Sequence, residues 1–254
     1  MENTMRDIKT MFGRCMLKTL RTPEALAMSI AIPAILMLVF VNVFGGAMDV
    51  GYYNYANFIV PGILVNCLVQ SSASTGISVN QDMTNGIISR FRSMSISHIS
   101  FLSGHVLSAF VKTLITTSVI IIVAFLTGFR PSANVLQWLT ILGLVTLFIF
   151  ANTWLTVWLG VVLKDSESVN GLIQLTAVLV FLSPGMAPTE TMPRFLQYFA
   201  ENQPMAPYVN SLRALMNGYE IAGNGLQLAL LWWGGILAVM FLATIRAYKK
   251  KLTV

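Results

Sequence analysis

Between two long apolar stretches the chain reads Asp82-Met83-Thr84-Asn85-Gly86-Ile87-Ile88-Ser89-Arg90-Phe91-Arg92-Ser93-Met94-Ser95-Ile96-Ser97. Two arginines flank a phenylalanine, and the segment has no cysteine and no metal-ligand spacing. These residue types suit docking better than catalysis. Phe91 is an aromatic anchor, and Arg90 and Arg92 would face an acidic rim on a partner. The same composition also fits a solvated loop whose arginines merely hold one side of a membrane.

The second set of polar groups lies inside apolar stretches. Asn66, Gln70, Ser74 and Ser78 fall four apart and share a helix face, as do Asn170, Gln174 and Ala177, with Phe181 further out. Asn152 and Thr156 do the same beside Trp154 and Trp158. Such stripes either line a passage for an amphiphilic cargo or hydrogen-bond helix to helix. Asn66, Gln70, Ser74, Asn170 and Gln174 are the passage candidates, Asn66 and Gln70 first among them. Lys112 stands alone as an ionisable group within a span, placed where its ammonium would snorkel to the inner surface. A proton- or ion-driven transporter needs intramembrane Asp, Glu or His, so that class is disfavoured. No G-x-x-x-x-G-K-[ST] occurs, so the chain brings no phosphate-binding loop. His98 and His105 read as interfacial helix residues, and Cys15 and Cys67 as small apolar fillers.

The elements that position these groups follow from hydropathy. Of the 254 residues 56% are hydrophobic and 10% charged, against about 25% charged in soluble domains. The mean hydropathy is +0.72, and several stretches reach the roughly 20 apolar residues that cross a bilayer. The expected fold is an all-α membrane protein. Residues 3–22 form an amphipathic interfacial helix with Met5, Ile8, Phe12, Cys15 and Met16 on its apolar face, and Pro23 breaks it. Six transmembrane helices follow, at about 25–44, 57–79, 103–127, 135–163, 169–183 and 226–246. The first is a retained span and not a signal peptide, for no A-x-A cleavage site follows its apolar run. Before the last span, residues 184–225 hold two short helices, near 192–199 and 205–217, too short to span and expected as an outer re-entrant hairpin. The domain boundaries are therefore 1–24 for the interfacial helix and 25–254 for the membrane domain, with a coupling segment at 80–100.

Charge sets the expected orientation. The basic residues of the N-terminal helix, Arg90 and Arg92, Lys164, and the tail Arg246, Lys249, Lys250 and Lys251 fall on one side, and only Arg130, Arg194 and Arg213 on the other. The first side is cytoplasmic by the positive-inside rule, with both termini there, in a multi-pass protein of the cell membrane. The basic balance, with a pI near 9.5, does not point to nucleic acid, because it is spread over span ends.

Four stretches in register resemble one family. The run from Asp82 through Gly86 and Arg90-Phe91-Arg92-Ser93-Met94-Ser95-Ile96-Ser97 is similar to the Gly-x-x-x-Arg-(Phe/Leu)-Arg-Ser-(Met/Leu)-Pro-Ile-Ser pattern of ABC-2 type permeases, in particular the daunorubicin-resistance-like drug exporters. Phe44-Gly45-Gly46-Ala47, the run Tyr55 to Leu64, and the outer run from Pro188 to Gly218 match as well. Ser95 departs from the usual proline. The resemblance implies a six-span permease that works as a dimer and docks a separate ATP-binding cassette ATPase carrying the ATP and magnesium, with no cofactor bound by this chain. It implies that Asp82, Gly86, Arg90, Phe91, Arg92 and Ser93 form the ATPase-coupling site. The expected function is ATP-driven export of a hydrophobic or amphiphilic compound by alternating access, with no catalytic residue in the permease. A permease for a lipid-linked polysaccharide, an intramembrane lipid enzyme and an ATPase-independent channel or immunity protein are the rival readings.

Overall fold

A computed structural model describes residues 2–45, 54–85 and 98–253, and among them every regular element is helical. Helix α1 (Glu2–Arg21) is followed at once by α2 (Pro23–Val39), whose last turn widens into a π-helix at Phe40–Phe44. Pro23 sits in the first turn of α2, where its missing N–H costs nothing. Helix α3 (Tyr55–Thr84) starts at Asn54, whose side chain accepts from the Ala56 N–H at 3.3 Å. Then come α4 (His98–Leu126), α5 (Val135–Val162) and α6 (Ser166–Phe181). A 3-10 turn at Thr189–Thr191 leads to α7 (Arg194–Asn202) and α8 (Met205–Met216), and α9 (Gly225–Thr253) closes the chain.

The caps explain two of these boundaries. Asn134 accepts from the Gln137 N–H at 2.8 Å, and Gln137 Oε1 accepts from the Asn134 N–H at 2.8 Å, a reciprocal box that satisfies two donors at the start of α5. Asn134→Ala should cost about 1 kcal/mol and lower the thermal midpoint by about 2–4 °C, while Asn134→Asp should hold it. Asp165 caps α6: the Ser168 N–H donates to its carboxylate at 2.7 Å, and that bond, seconded by the Ser168 hydroxyl, keeps this carboxyl below the usual carboxylate range.

Five helices among the described residues are long and apolar enough to cross a membrane: Leu26–Phe44, Tyr55–Thr84, Ser100–Leu126, Val135–Val162 and Gly225–Lys251. The sixth expected span corresponds to α6, which has 16 residues. At 1.5 Å per residue such a helix is about 24 Å long, less than the hydrocarbon thickness of about 30 Å. It ends at Phe181 because Pro184-Gly185 follows in a tight non-helical run.

Helix α3 is the axis of the bundle: 89% of its most apolar window is buried, against 11% for Leu26–Phe44 and 17% for α9. It packs against α2, α4, α5, α6 and α8. The outer faces of α2 and α9 carry exposed Ile35, Leu38, Val43, Leu231 and Val239, as lipid-facing helices do. The two short helices differ from each other. Helix α7 exposes Phe195 and Tyr198, whereas α8 buries Tyr208, Val209 and Leu212 completely. Tyr208 stacks near Phe148, with centroids 4.7 Å apart, and donates to the Leu144 carbonyl at 3.2 Å, so α8 is pinned to α5 inside the bundle.

Candidate functional site

The end of α3 that leads into residues 86–97 is held from two sides. On one side Asn80 donates from Nδ2 to the carbonyls of Gly160, at 3.1 Å, and Leu163, at 2.9 Å, and Ser166 Oγ donates to Asn80 Oδ1 at 3.1 Å. That fixes α3 to the α5–α6 turn. On the other side Asp82 is 2% exposed and receives a two-pronged bond from Arg14 of α1: NH1 to Oδ2 at 3.0 Å and NH2 to Oδ1 at 3.2 Å. His105 Nε2 of α4 lies 3.2 Å from Oδ2. A carboxylate only accepts, so Nε2 carries the hydrogen and donates. One buried carboxylate thus joins α1, α3 and α4. One helical turn back, Lys18 Nζ donates to Ser78 Oγ at 2.9 Å. Met11 and Cys15 of α1 are buried, and Met11 lies against Gly104 of α4, where the lack of a side chain lets the two helices meet.

Asp82, expected to face a partner protein, therefore has its carboxylate turned inward onto α1 and α4. Gly86, Arg90, Phe91, Arg92 and Ser93 lie outside the described residues. The chain re-enters at His98, where α4 begins.

The polar stripes meet beside this junction. A cavity of about 580 Å³ opens among α1, α2, α3, α4 and α6, and Gln70, Ser74, Asn170 and Gln174 all line it. Asn66 does not. It is 2% exposed within the bundle, and its Nδ2 has no hydrogen-bond partner among the described residues. The Asn152 stripe is helix-to-helix glue: Asn152 Nδ2 donates to Ser72 Oγ at 2.5 Å, deep between α5 and α3.

Lys112 departs from the snorkelling expected of it. Its side chain is buried, at 7% exposure, and Nζ donates to Ser74 Oγ at the cavity wall. The reason is its register: Ser108 and His105, four and seven residues earlier on α4, line the same cavity, so this face turns toward α3 and the ammonium finds polar surroundings without reaching the bundle end. His105 was expected at an interface and is instead buried, with its Nε2 bonded to Asp82. The clue available for both was scarcity. Asp82 is the sole acid between residues 50 and 164, and an isolated acid in apolar sequence needs a basic partner.

Cys15 and Cys67 are both free and buried, as fillers should be. Cys15 and His105 line the same polar recess, one wall of which is α3, the helix leading to the inter-span segment.

Comparison with known proteins agrees with this geometry. The family described as ABC-2 type transporter matches residues 6–217, which takes in α1, the cavity and α8. The chain is 29% identical over 244 residues, 95% of its own length and 86% of the other, to the "Daunorubicin resistance ABC transporter permease protein DrrB1" of Streptomyces coeruleorubidus. It is 22% identical over 230 residues, 89% and 82% of the two lengths, to the "Probable doxorubicin resistance ABC transporter permease protein DrrC" of Mycobacterium tuberculosis. With its apolar helices, its polar recess and a match over most of its length, the chain belongs to the ABC-2 type transporter family of multi-pass membrane permeases.

Proposed function

We propose that the chain is the transmembrane permease of an ATP-driven exporter that moves a hydrophobic or amphiphilic compound out of the cell. The observation that carries this is the join between recess and axis: the cavity wall that bears Gln70 and Ser74 is the same helix whose last turn, at Asp82, opens into the Arg90-Phe91-Arg92 segment. A push on that segment tilts α3 and with it the polar face. Such a linkage is what alternating access requires.

The roles divide accordingly. Residues 1–24 form the interfacial helix on the cytoplasmic side, 25–254 the membrane domain, and 80–100 the coupling segment. Gly86, Arg90, Phe91, Arg92 and Ser93 contact a separate ATP-binding cassette subunit, which binds the ATP and magnesium and performs hydrolysis. Asp82 acts indirectly, by fixing the end of α3. Gln70, Ser74, Asn170 and Gln174 meet the cargo, while Asn66 acts one layer back, as a polar hinge within the bundle. Helix α6, the short sixth span, completes its crossing with the run that follows it, and 184–225 caps the exit as the outer hairpin. The working unit is a homodimer, in which the second copy flanks the cavity on the side where Asn170 and Gln174 of α6 are exposed. Both termini are cytoplasmic, in the cell membrane.

The test is transport in proteoliposomes that contain the permease and its ATPase. Arg90→Ala and Phe91→Ala should each lower cargo-stimulated hydrolysis and export by about tenfold, as loss of an interface hot spot does, and leave the fold intact by thermal melting. Uphill export by the permease alone, or full export by both variants, would overturn the assignment.

A further inference from the structure

We propose that the cavity takes an amphiphile bearing an anionic group, a phosphate or a carboxylate, and that this group pairs with the ammonium of Lys112. The proposal rests on the reading of the cavity as the cargo's route. A buried ammonium demands a counter-charge, because desolvation is repaid only by pairing. Lys112 is 7% exposed, and among the described residues its Nζ reaches only the hydroxyl of Ser74, which is neutral. Lys18, on the α1 wall, is exposed and adds a second cation to the lining: it donates to Ser78 at 2.9 Å and reaches Gln81 at 3.5 Å.

Among the described residues no aspartate or glutamate lines the cavity. Asp82, one turn beyond Ser78, is already taken by Arg14 and His105 and is not among the residues that line the recess. The lining therefore carries positive charge without compensation. Gln70 and Gln174 add amide donors for the remaining oxygens of a phosphate or carboxylate. The wall contributed by α2 presents Leu26, Ile32 and Pro33, an apolar surface for a tail. An anionic head against Lys112 and a tail along α2 satisfy both walls. A cationic head would meet like charge in a partly desolvated site.

The experiment uses the permease–ATPase complex in phosphatidylcholine nanodiscs. Three fluorescent probes share one pyrene-decyl tail and end in phosphate, hydroxyl or trimethylammonium. The phosphate probe should bind about tenfold more tightly than the hydroxyl probe, the size of one charge-assisted hydrogen bond, and the trimethylammonium probe more weakly than either. Lys112→Met should erase the preference without moving the hydroxyl probe, and Lys112→Arg should keep it. An unchanged phosphate preference in Lys112→Met, or equal binding of the phosphate and trimethylammonium probes, overturns the proposal and leaves the route standing. Failure of every probe to bind the wild-type complex removes the route and the proposal together. Mixing phosphatidylglycerol into the discs separates the two sources of the anion. Competition seen in wild type and absent in Lys112→Met assigns the group to a bilayer lipid headgroup, and no competition assigns it to an exported compound; either result supports the anion site.

Discussion

Replacing Asp82 by alanine is expected to destabilise the protein by about 3 kcal/mol and to release α1 from the bundle. Removing one member of a buried ion pair costs about 3–5 kcal/mol, because the remaining charge is left without a partner. Arg14 is 36% exposed and can reach water, which lowers the figure, but His105 is almost fully enclosed. Asp82→Asn keeps the volume and one acceptor and should cost less. Two free cysteines provide the readout. Cys15 sits on α1 at 8% exposure, and Cys67 is enclosed within α3. Maleimide labelling of Cys15 should accelerate by about tenfold or more when α1 lifts, while Cys67 stays protected. Combined with Arg14→Ala, the loss should be less than additive, by about 1–3 kcal/mol, since both substitutions break the same contact. Unchanged Cys15 labelling and an unchanged melting midpoint would mean that the ion pair does not hold α1.

The consequence for export follows from geometry. With α1 released, the last turn of α3 keeps its Asn80 tie to the α5–α6 turn but loses its polar tie to α1 and α4. Motion delivered at residues 86–97 would then be absorbed by a loose helix end before it reached the cavity wall. Uncoupled hydrolysis is therefore expected along with the loss of stability.

Much of this arrangement was legible in the sequence, and what was not has physical causes. Long apolar stretches fix where helices lie, so the helices fall close to their expected places, although five of the six expected spans are long enough to cross among the described residues. Pairing between distant residues leaves no such periodic trace. Arg14 and Asp82 are 68 residues apart, and Asp82 and His105 are 23 apart. Asn66 illustrates a limit of the four-residue rule. At 3.6 residues per turn each four-residue step overshoots by about 40°, so three steps from Ser78 to Asn66 drift by about 120°. Gln70, Ser74 and Ser78 stay on the cavity face, and Asn66 rotates off it. Lys112 was misplaced for a related reason: snorkelling is a rule for single helices in lipid, and a neighbouring polar recess is a shorter route to solvation than the bundle end.

The second large effect is expected at Gly76. Helices α3 and α5 touch backbone to backbone there: a Cβ on Gly76 would stand 2.5 Å from the Thr156 carbonyl oxygen, and one on Gly160 would strike the Gly76 carbonyl. A carbonyl cannot swing aside as a side-chain tip can, so even a methyl group must push the helices apart. Gly76→Ala should therefore cost about 2 kcal/mol, the scale of core overpacking, although alanine is the better helix former by about 1 kcal/mol. Gly76→Leu should prevent folding. The displacement would also stretch the bonds that cross the same seam, Asn152 to Ser72 and Asn80 to Gly160, and so move the cavity wall and the coupling end together. Gly143, on α5 with nothing within 4 Å, is the control. There the same substitution should stabilise by about 0.5–1 kcal/mol, since only helix propensity changes. Opposite signs of the melting shift at Gly76 and Gly143 are the expected result. A stabilising Gly76→Ala would mean that α3 and α5 do not meet at this seam, and the coupling of cavity to junction through α3 would lose its support.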